Sequence, residues 1–349
     1  MEKPPENKRE EPMTVRHKLL ATAALAGLLA AGVGQTASAE LKRIAIGTNK
    51  AGTTYFVLGG GFAKLFQEKL GIRSNAQPHS GSSVYIPLLD NGEIALGINS
   101  SIDSSLAYRG GKPYPRAMKK LRALARIWVL PYGYFVRANS GIKTVEDLKG
   151  KKVVIDLKAN VSLAALNWAM MASGGLDKSN LQAIAVGGIG QGLNAVVEGR
   201  ADAAPIALGI PLLRKAHASV PGGIRIIALG KKGSTEFLNS RVGGTLALVT
   251  QPSKRNVGVE KPTQVAAFNT FLNVGSQVTD DEAYKLAKTL HQNWKSLQKD
   301  YPPLRGVPAN GLAAAVNPHP YHPGAIRYYK EAGLWSAAND KQRSMIMKK

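Results

Sequence analysis

The sequence contains no cysteine. That excludes disulfides, thiol nucleophiles, iron–sulfur clusters, Cys-ligated zinc and a lipid-modified N-terminal Cys. Histidine is scarce, with 6 in 349 residues, so metal binding and His-based acid–base catalysis start from few positions. Acidic residues are outnumbered, 23 Asp and Glu against 46 Lys and Arg, for a formal charge of +23. No phosphate-cradling Walker loop and no G-x-S-x-G nucleophile elbow occurs, and no pair of carboxylates stands out as an acid–base set. The chain is read as non-enzymatic. What it does have is apolar content: 44% hydrophobic residues, enough for a sizeable core in each of two domains.

Leu19 to Val33 form an apolar run, with Arg16, His17 and Lys18 before it and Ala37-Ser38-Ala39 after it. A basic segment, a short apolar segment and an A-x-A site together make a secretory signal peptide, with cleavage expected after Ala39. The run is shorter than the roughly 18–20 residues of a spanning helix. The protein is therefore expected to be exported, to the periplasm, and removal of residues 1–39 leaves its charge almost unchanged. The basic residues are scattered along the chain, and the densest stretch, Arg116 to Trp128, reads as a basic helix on a solvated face. Aromatic residues are not interleaved as stacking platforms, so nucleic acid is not the expected partner. Such a field instead raises the encounter rate of small anions.

Short β-rich runs alternate with helical patterns, which points to α/β architecture with mostly parallel sheets flanked by helices. Strands are expected at 41–48, 94–99, 132–138, 152–157, 181–188, 201–209 and 244–250. A glycine-punctuated loop covers 49–61 ahead of a helix, and helices are expected near 262–278, 280–301 and 324–335. Two lobes follow, 40–133 with 251–349 and 134–250, with crossovers near 132–138 and 244–250.

Gly190-Gln191-Gly192-Leu193-Asn194-Ala195 fits the dinucleotide pattern G-x-G-x-x-A, but the helix is short and no acidic residue lies about twenty positions on. His319 and His322 sit in a proline-broken HPYHP segment without a carboxylate at ligand spacing and read as a structural turn. Neither a cofactor nor a metal is expected. Three loops recur at strand ends ahead of helices, each carrying hydroxyl or amide residues: Asn49–Tyr55, Ser80–Ser83 and Asn160–Ser162. Helix N-termini present unpaired N–H groups, so such loops suit a carboxylate without needing Lys or Arg.

The segments IAIGTNKAGTTYFVLGGGFAKLF (44–66), SGSSVYIPLLDNGEIALGI (80–98), GIKTVEDLKGKKVVI (141–155), AVVEGRADAAPIALGIP (195–211) and HPGAIRYYKEAGLW (322–335) resemble, in order, the TAXI family. These are extracytoplasmic solute receptors of tripartite ATP-independent periplasmic (TRAP) transporters. The resemblance implies a two-lobed type II periplasmic binding protein, or Venus flytrap, that hands a small anionic organic solute to TRAP membrane permease subunits. The solutes it implies are of the glutamate-like amino acid or dicarboxylate class. The ligand residues it implies, with those of the strand-end loops, are Asn49, Thr53, Thr54, Tyr55, Ser80, Ser82, Ser83, Asn160, Ser162, Gly209 and Pro211. The sequence departs from the family pattern at Phe56, Ser82 and Asn160, and Ile102 stands where relatives carry an Asp, with Asp103 beside it. The alternative role is a sensor receptor of the same fold.

Overall fold

A computed structural model describes residues 41–348 and Met1; the expected signal peptide lies outside the described residues. The first elements are β1 (Arg43–Asn49), α1 (Thr54–Leu70), β2 (Arg73–His79), α2 (Ser82–Asn91), β3 (Leu96–Ser100), α3 (Ser101–Arg109) and β4 (Arg122–Arg137). Next come β5 (Lys152–Leu157), α4 (Leu163–Ser173), β6 (Gln182–Val186), α5 (Ile189–Val197), β7 (Ala203–Ala207), α6 (Pro211–Ser219), β8 (Ile224–Ile226), α7 (Thr235–Arg241) and β9 (Thr245–Thr250). The chain closes with β10 (Thr263–Val274), α8 (Asp280–Gln292), α9 (Trp294–Asp300), α10 (Pro323–Glu331) and α11 (Ala337–Met347).

The expected α/β class holds, as one mixed sheet flanked by helices. Its order is β2-β1-β3-β10-β4-β7-β5-β6, with β9 on β10 and β8 on β4. β1 pairs in parallel with β2 and β3, and β5 in parallel with β6 and β7. The long antiparallel strands β4 and β10 join these two parallel halves. β4 pairs with β10 as far as Tyr132 and with β7 from Tyr132 to Val136, so one strand runs from one half into the other. β9 lies against the first half of β10 and β3 against the second.

Three expectations are corrected here. Residues 262–278 were expected to be helical, yet 263–274 form the central strand β10, buried at every position but Gln264. A strand covered on both faces loses the two-residue alternation that marks a half-buried one, so periodicity does not separate it from a buried helix. The basic stretch 116–126 is likewise turn and strand. Arg116 pairs with buried Asp90 at 2.6 Å, and Arg126 donates to Gly311 O (3.2 Å) and Asn269 Oδ1 (3.3 Å). Moreover, the glycines at 59–61 lie inside α1, which starts at the Thr53 N-cap, whose Oγ1 accepts from Phe56 N. A Cβ at Gly59 would come within 2.4 Å of Thr48 Cγ2, and one at Gly61 within 2.4 Å of the Tyr301 ring. Glycine there lets α1 lie close on the sheet and on its neighbour.

Trp294, fully buried at the start of α9, donates its indole N–H to Val307 O at 2.7 Å. Trp294→Phe should therefore lower unfolding stability by about 1–2 kcal/mol in a urea titration. A loss within error would place Trp294 outside the cooperative core.

Candidate functional site

The residues at the strand ends β1, β2 and β3 open the helices α1, α2 and α3, so Asn49, Thr53, Ser82 and Ser100 converge on one region. Across from them the 159–162 segment, leading from β5 into α4, supplies Asn160 and Ser162. An inner chamber with a cavity volume of about 40 Å³ is lined by Asn49, Thr53, Thr54, Tyr55, Ser82, Asn160 and, among others, Ser100, Asp103, Trp128, Tyr132, Ile189 and Phe268. An outer chamber of about 1,580 Å³, counting open solvent, shares Asn49, Thr53, Asn160 and Ile189 and adds Ser80, Lys50 and Lys215. Of the expected ligand residues, Ser83, Ser162, Gly209 and Pro211 line neither chamber. Pro211 is the first residue of α6, and Ile210 between it and Gly209 reaches the inner wall.

At the centre stands Asp103, 2% exposed, in the first turn of α3. Its N–H is capped by Ser100 Oγ at 2.9 Å. Its Oδ2 accepts from Ser82 Oγ (2.6 Å) and Ser100 Oγ (3.0 Å), and its Oδ1 from Tyr114 OH (3.3 Å) and Ser162 Oγ. All four donors are uncharged. Burial pushes the Asp103 carboxyl above the usual carboxylate value, and the hydroxyl donors pull it part of the way back. The sequence reading left Asp103 out of the site, because in the family pattern the acidic residue falls one position earlier. The signal was present as Ser100-x-x-Asp103, a capping-box spacing that fixes a carboxylate at a helix start.

Asp103 also ties the two halves together. Ser162 reaches it from the start of α4, Asn160 Nδ2 donates to Ser82 Oγ at 3.0 Å, and Val161 N donates to Ser83 Oγ at 3.3 Å. Thus Ser83 and Ser162, off the chamber walls, fasten the wall segments to each other. At Gly81 the contact is backbone to backbone: an added Cβ would sit 2.0 Å from Ala159 O.

The aromatic wall comes from the long joining strands. Trp128 and Tyr132 lie on β4 and Phe268 on β10, with the Tyr132 and Phe268 rings 5.7 Å apart. Tyr132 OH donates to Asn167 Oδ1 at 3.1 Å, and Tyr55 OH lies 3.4 Å from Thr270 Oγ1. Burial raises the pKa of both phenols, so they stay neutral. Nothing in local sequence spacing places residues 128, 132 and 268 together; only the β4–β10 pairing does.

Other candidates are structural. Arg137 donates to Val196 O (2.9 Å) and Val197 O (2.7 Å), holding the C-terminal end of α5. His319 and His322 are buried, His319 Nε2 on Asn273 Oδ1 at 2.8 Å and His322 Nε2 on Val278 O at 3.1 Å. Among the described residues no helix is long and apolar enough to cross a membrane.

Residues 46–333 match the profile of the NMT1-like family. The chain belongs to the NMT1-like family. Solved structures similar to this NMT1-like chain include the alkanesulfonate-binding protein SsuA from Xanthomonas axonopodis pv. citri, bound to MOPS. It shares 17% identity over 86% of this chain and 83% of that one, with a TM-score of 0.46. The periplasmic aliphatic sulphonate binding protein SsuA from Escherichia coli shares 16% over 86% and 91%, with a TM-score of 0.41. An ancestral arginine-binding protein bound to glutamine shares 17% over 76% and 98%, with a TM-score of 0.47.

Proposed function

We propose that this NMT1-like chain is a periplasmic solute-binding receptor of the TAXI type. It captures a small organic solute between two lobes and delivers it to a TRAP permease. The observation that carries the reading is the chamber itself, set at the strand ends and bridged by residues 81–83 on one side and 159–162 on the other. Ligands of open α/β sheets sit at the carboxyl ends of strands. The proposed lobes follow the parallel halves of the sheet, with β4 and the β9–β10 pair as the crossing strands. Closure would bend these strands and bring Ser82, Ser83 and Asp103 onto Asn160, Val161 and Ser162.

A thermal-shift screen of the purified protein tests this. The panel holds glutamate, glutamine, 2-oxoglutarate, succinate, fumarate, lactate, pyruvate and alkanesulfonates. A solute at about 100 times its dissociation constant stabilises the fold by roughly 2.7 kcal/mol, which moves the midpoint by several degrees. We expect such a shift from a narrow subset of the panel, and we expect it to persist at moderate salt. Shifts that collapse with added salt would point instead to loose association with the positive surface.

A further inference from the structure

We infer that the solute is recognised through a protonated amino group: the inner chamber is a site for a small organic ammonium ion with an apolar body. This rests on the receptor reading above and names its substrate class. Three independent observations share one sign. First, the charge lining the inner chamber is the Asp103 carboxylate, and among the described residues no Lys, Arg or His lines it. A buried carboxylate surrounded by neutral hydroxyls has its lone pairs satisfied and its charge uncompensated, and a cation brought beside it supplies what the protein does not.

Second, the buried amide oxygens Asn49 Oδ1 and Asn160 Oδ1 have no hydrogen-bond partner. The orientation of Asn160 is fixed by the chain of donors, since Ser82 gives its proton to Asp103 and so must accept from Asn160 Nδ2. Its Oδ1 is therefore an acceptor awaiting an N–H or O–H. An ammonium group has three donors and no acceptor, whereas a carboxylate would set oxygen against oxygen here. Third, the remaining wall carries Trp128, Tyr132 and Phe268, whose ring faces attract cations and cover an apolar body. The serines that a ligand carboxylate would need are already donating: Ser82 and Ser162 give their protons to Asp103. Each of these hydroxyls, polarised by that bond, presents its oxygen as a better acceptor. Lys50 and Lys215 line the outer chamber and not the inner one.

The test pairs amines with their deaminated counterparts on the wild-type protein by calorimetry. L-Phenylalanine is set against 3-phenylpropionate, L-glutamate against glutarate, and phenethylamine against ethylbenzene. At least one amine is expected to bind, with its deaminated counterpart at least roughly tenfold weaker, the loss of one charge-assisted contact. Asp103→Asn should weaken that amine by roughly 10- to 100-fold while keeping the native circular dichroism, since it removes a buried charge and the hydroxyls can rotate to suit the amide. Binding of the deaminated compounds alone would overturn the inference and leave the receptor reading standing. So would an amine that binds folded Asp103→Asn as well as wild type. Silence from every compound of both series would count against both.

Discussion

Gly81→Val is expected to leave the protein folded and to abolish high-affinity solute binding. The backbone at Gly81 is extended, with φ 179°, a conformation open to any residue, so the substitution does not strain the turn itself. The obstacle lies across the cleft. A Cβ there meets Ala159 O at 2.0 Å, Ala159 C at 2.6 Å and Asn160 Oδ1 at 2.8 Å. Two of those atoms are backbone, which cannot swing aside as a side-chain tip does. Relief comes only from moving the 80–83 segment away from 159–162, and in the proposed mechanism that motion is opening. If the bulk costs the closed form about 3 kcal/mol, apparent affinity falls by more than roughly a hundredfold. The free protein, able to rest open, should keep its thermal midpoint within a few degrees. A Gly81→Val protein that binds as tightly as wild type would mean that this contact does not separate when the ligand enters.

Acid should unfold this protein early, with His319 as the largest single cause. His319 is fully buried, its Nε2 facing Asn273 Oδ1 at 2.8 Å. Asn273 Nδ2 donates to Asn99 Oδ1 (3.0 Å) and Ser104 Oγ (3.1 Å), so its oxygen is the acceptor and His319 Nε2 carries the proton of the neutral ring. Nδ1 is buried without a partner, so protonation there would place an unpaired charge in the core. Burial accordingly pushes the imidazole down to about 3 from an ordinary 6.5. Between those values the unfolded chain binds more protons than the native one, so stability falls as pH drops from about 6.5 toward 3. The full loss is on the order of 5 kcal/mol, of which about 3 is expended by pH 4. His322, lowered chiefly by burial, acts in the same direction. Asp103 acts in the opposite one: its raised carboxyl favours the protonated native state, so acid relieves part of its burial. In His319→Gln, which keeps a donor toward Asn273, urea unfolding at pH 7 and pH 4 should differ by about 3 kcal/mol less than in wild type. Equal pH dependence in the two proteins would remove His319 from this role.

How far the sequence revealed the molecule depended on the range of the interaction. The strand at 152–157 and the helix start near Ser162 were legible because glycine stops and β-rich runs are local signals. So were most of the chamber's polar residues: Asn49, Thr53, Thr54, Tyr55, Ser82 and Asn160 come from loops whose composition marks strand-to-helix turns. What escaped was set by tertiary context. β10 read as a helix because both its faces are covered, and Gly59 and Gly61 read as loop because their role is close packing of α1 on Thr48 and Tyr301. Trp128, Tyr132 and Phe268 were not singled out, because their meeting depends on the pairing of two distant strands. Asp103 stood next to the position where the family pattern carries its acidic residue. Its burial among Ser82, Ser100, Tyr114 and Ser162 is what marks it as the centre of the site.

The central claim, that two lobes close over a solute, is tested most directly by measuring their separation. Because the sequence has no cysteine, Glu68→Cys and Lys178→Cys, both exposed, can carry a pair of spin labels without competing sites. Pulsed electron resonance then reads the distance distribution between α1 and the opposite parallel half. The account predicts a broad or longer distribution in the free protein that contracts to a single shorter distance with a solute found in the screen, and no contraction in Gly81→Val. A distribution unchanged by a solute that demonstrably binds would contradict it.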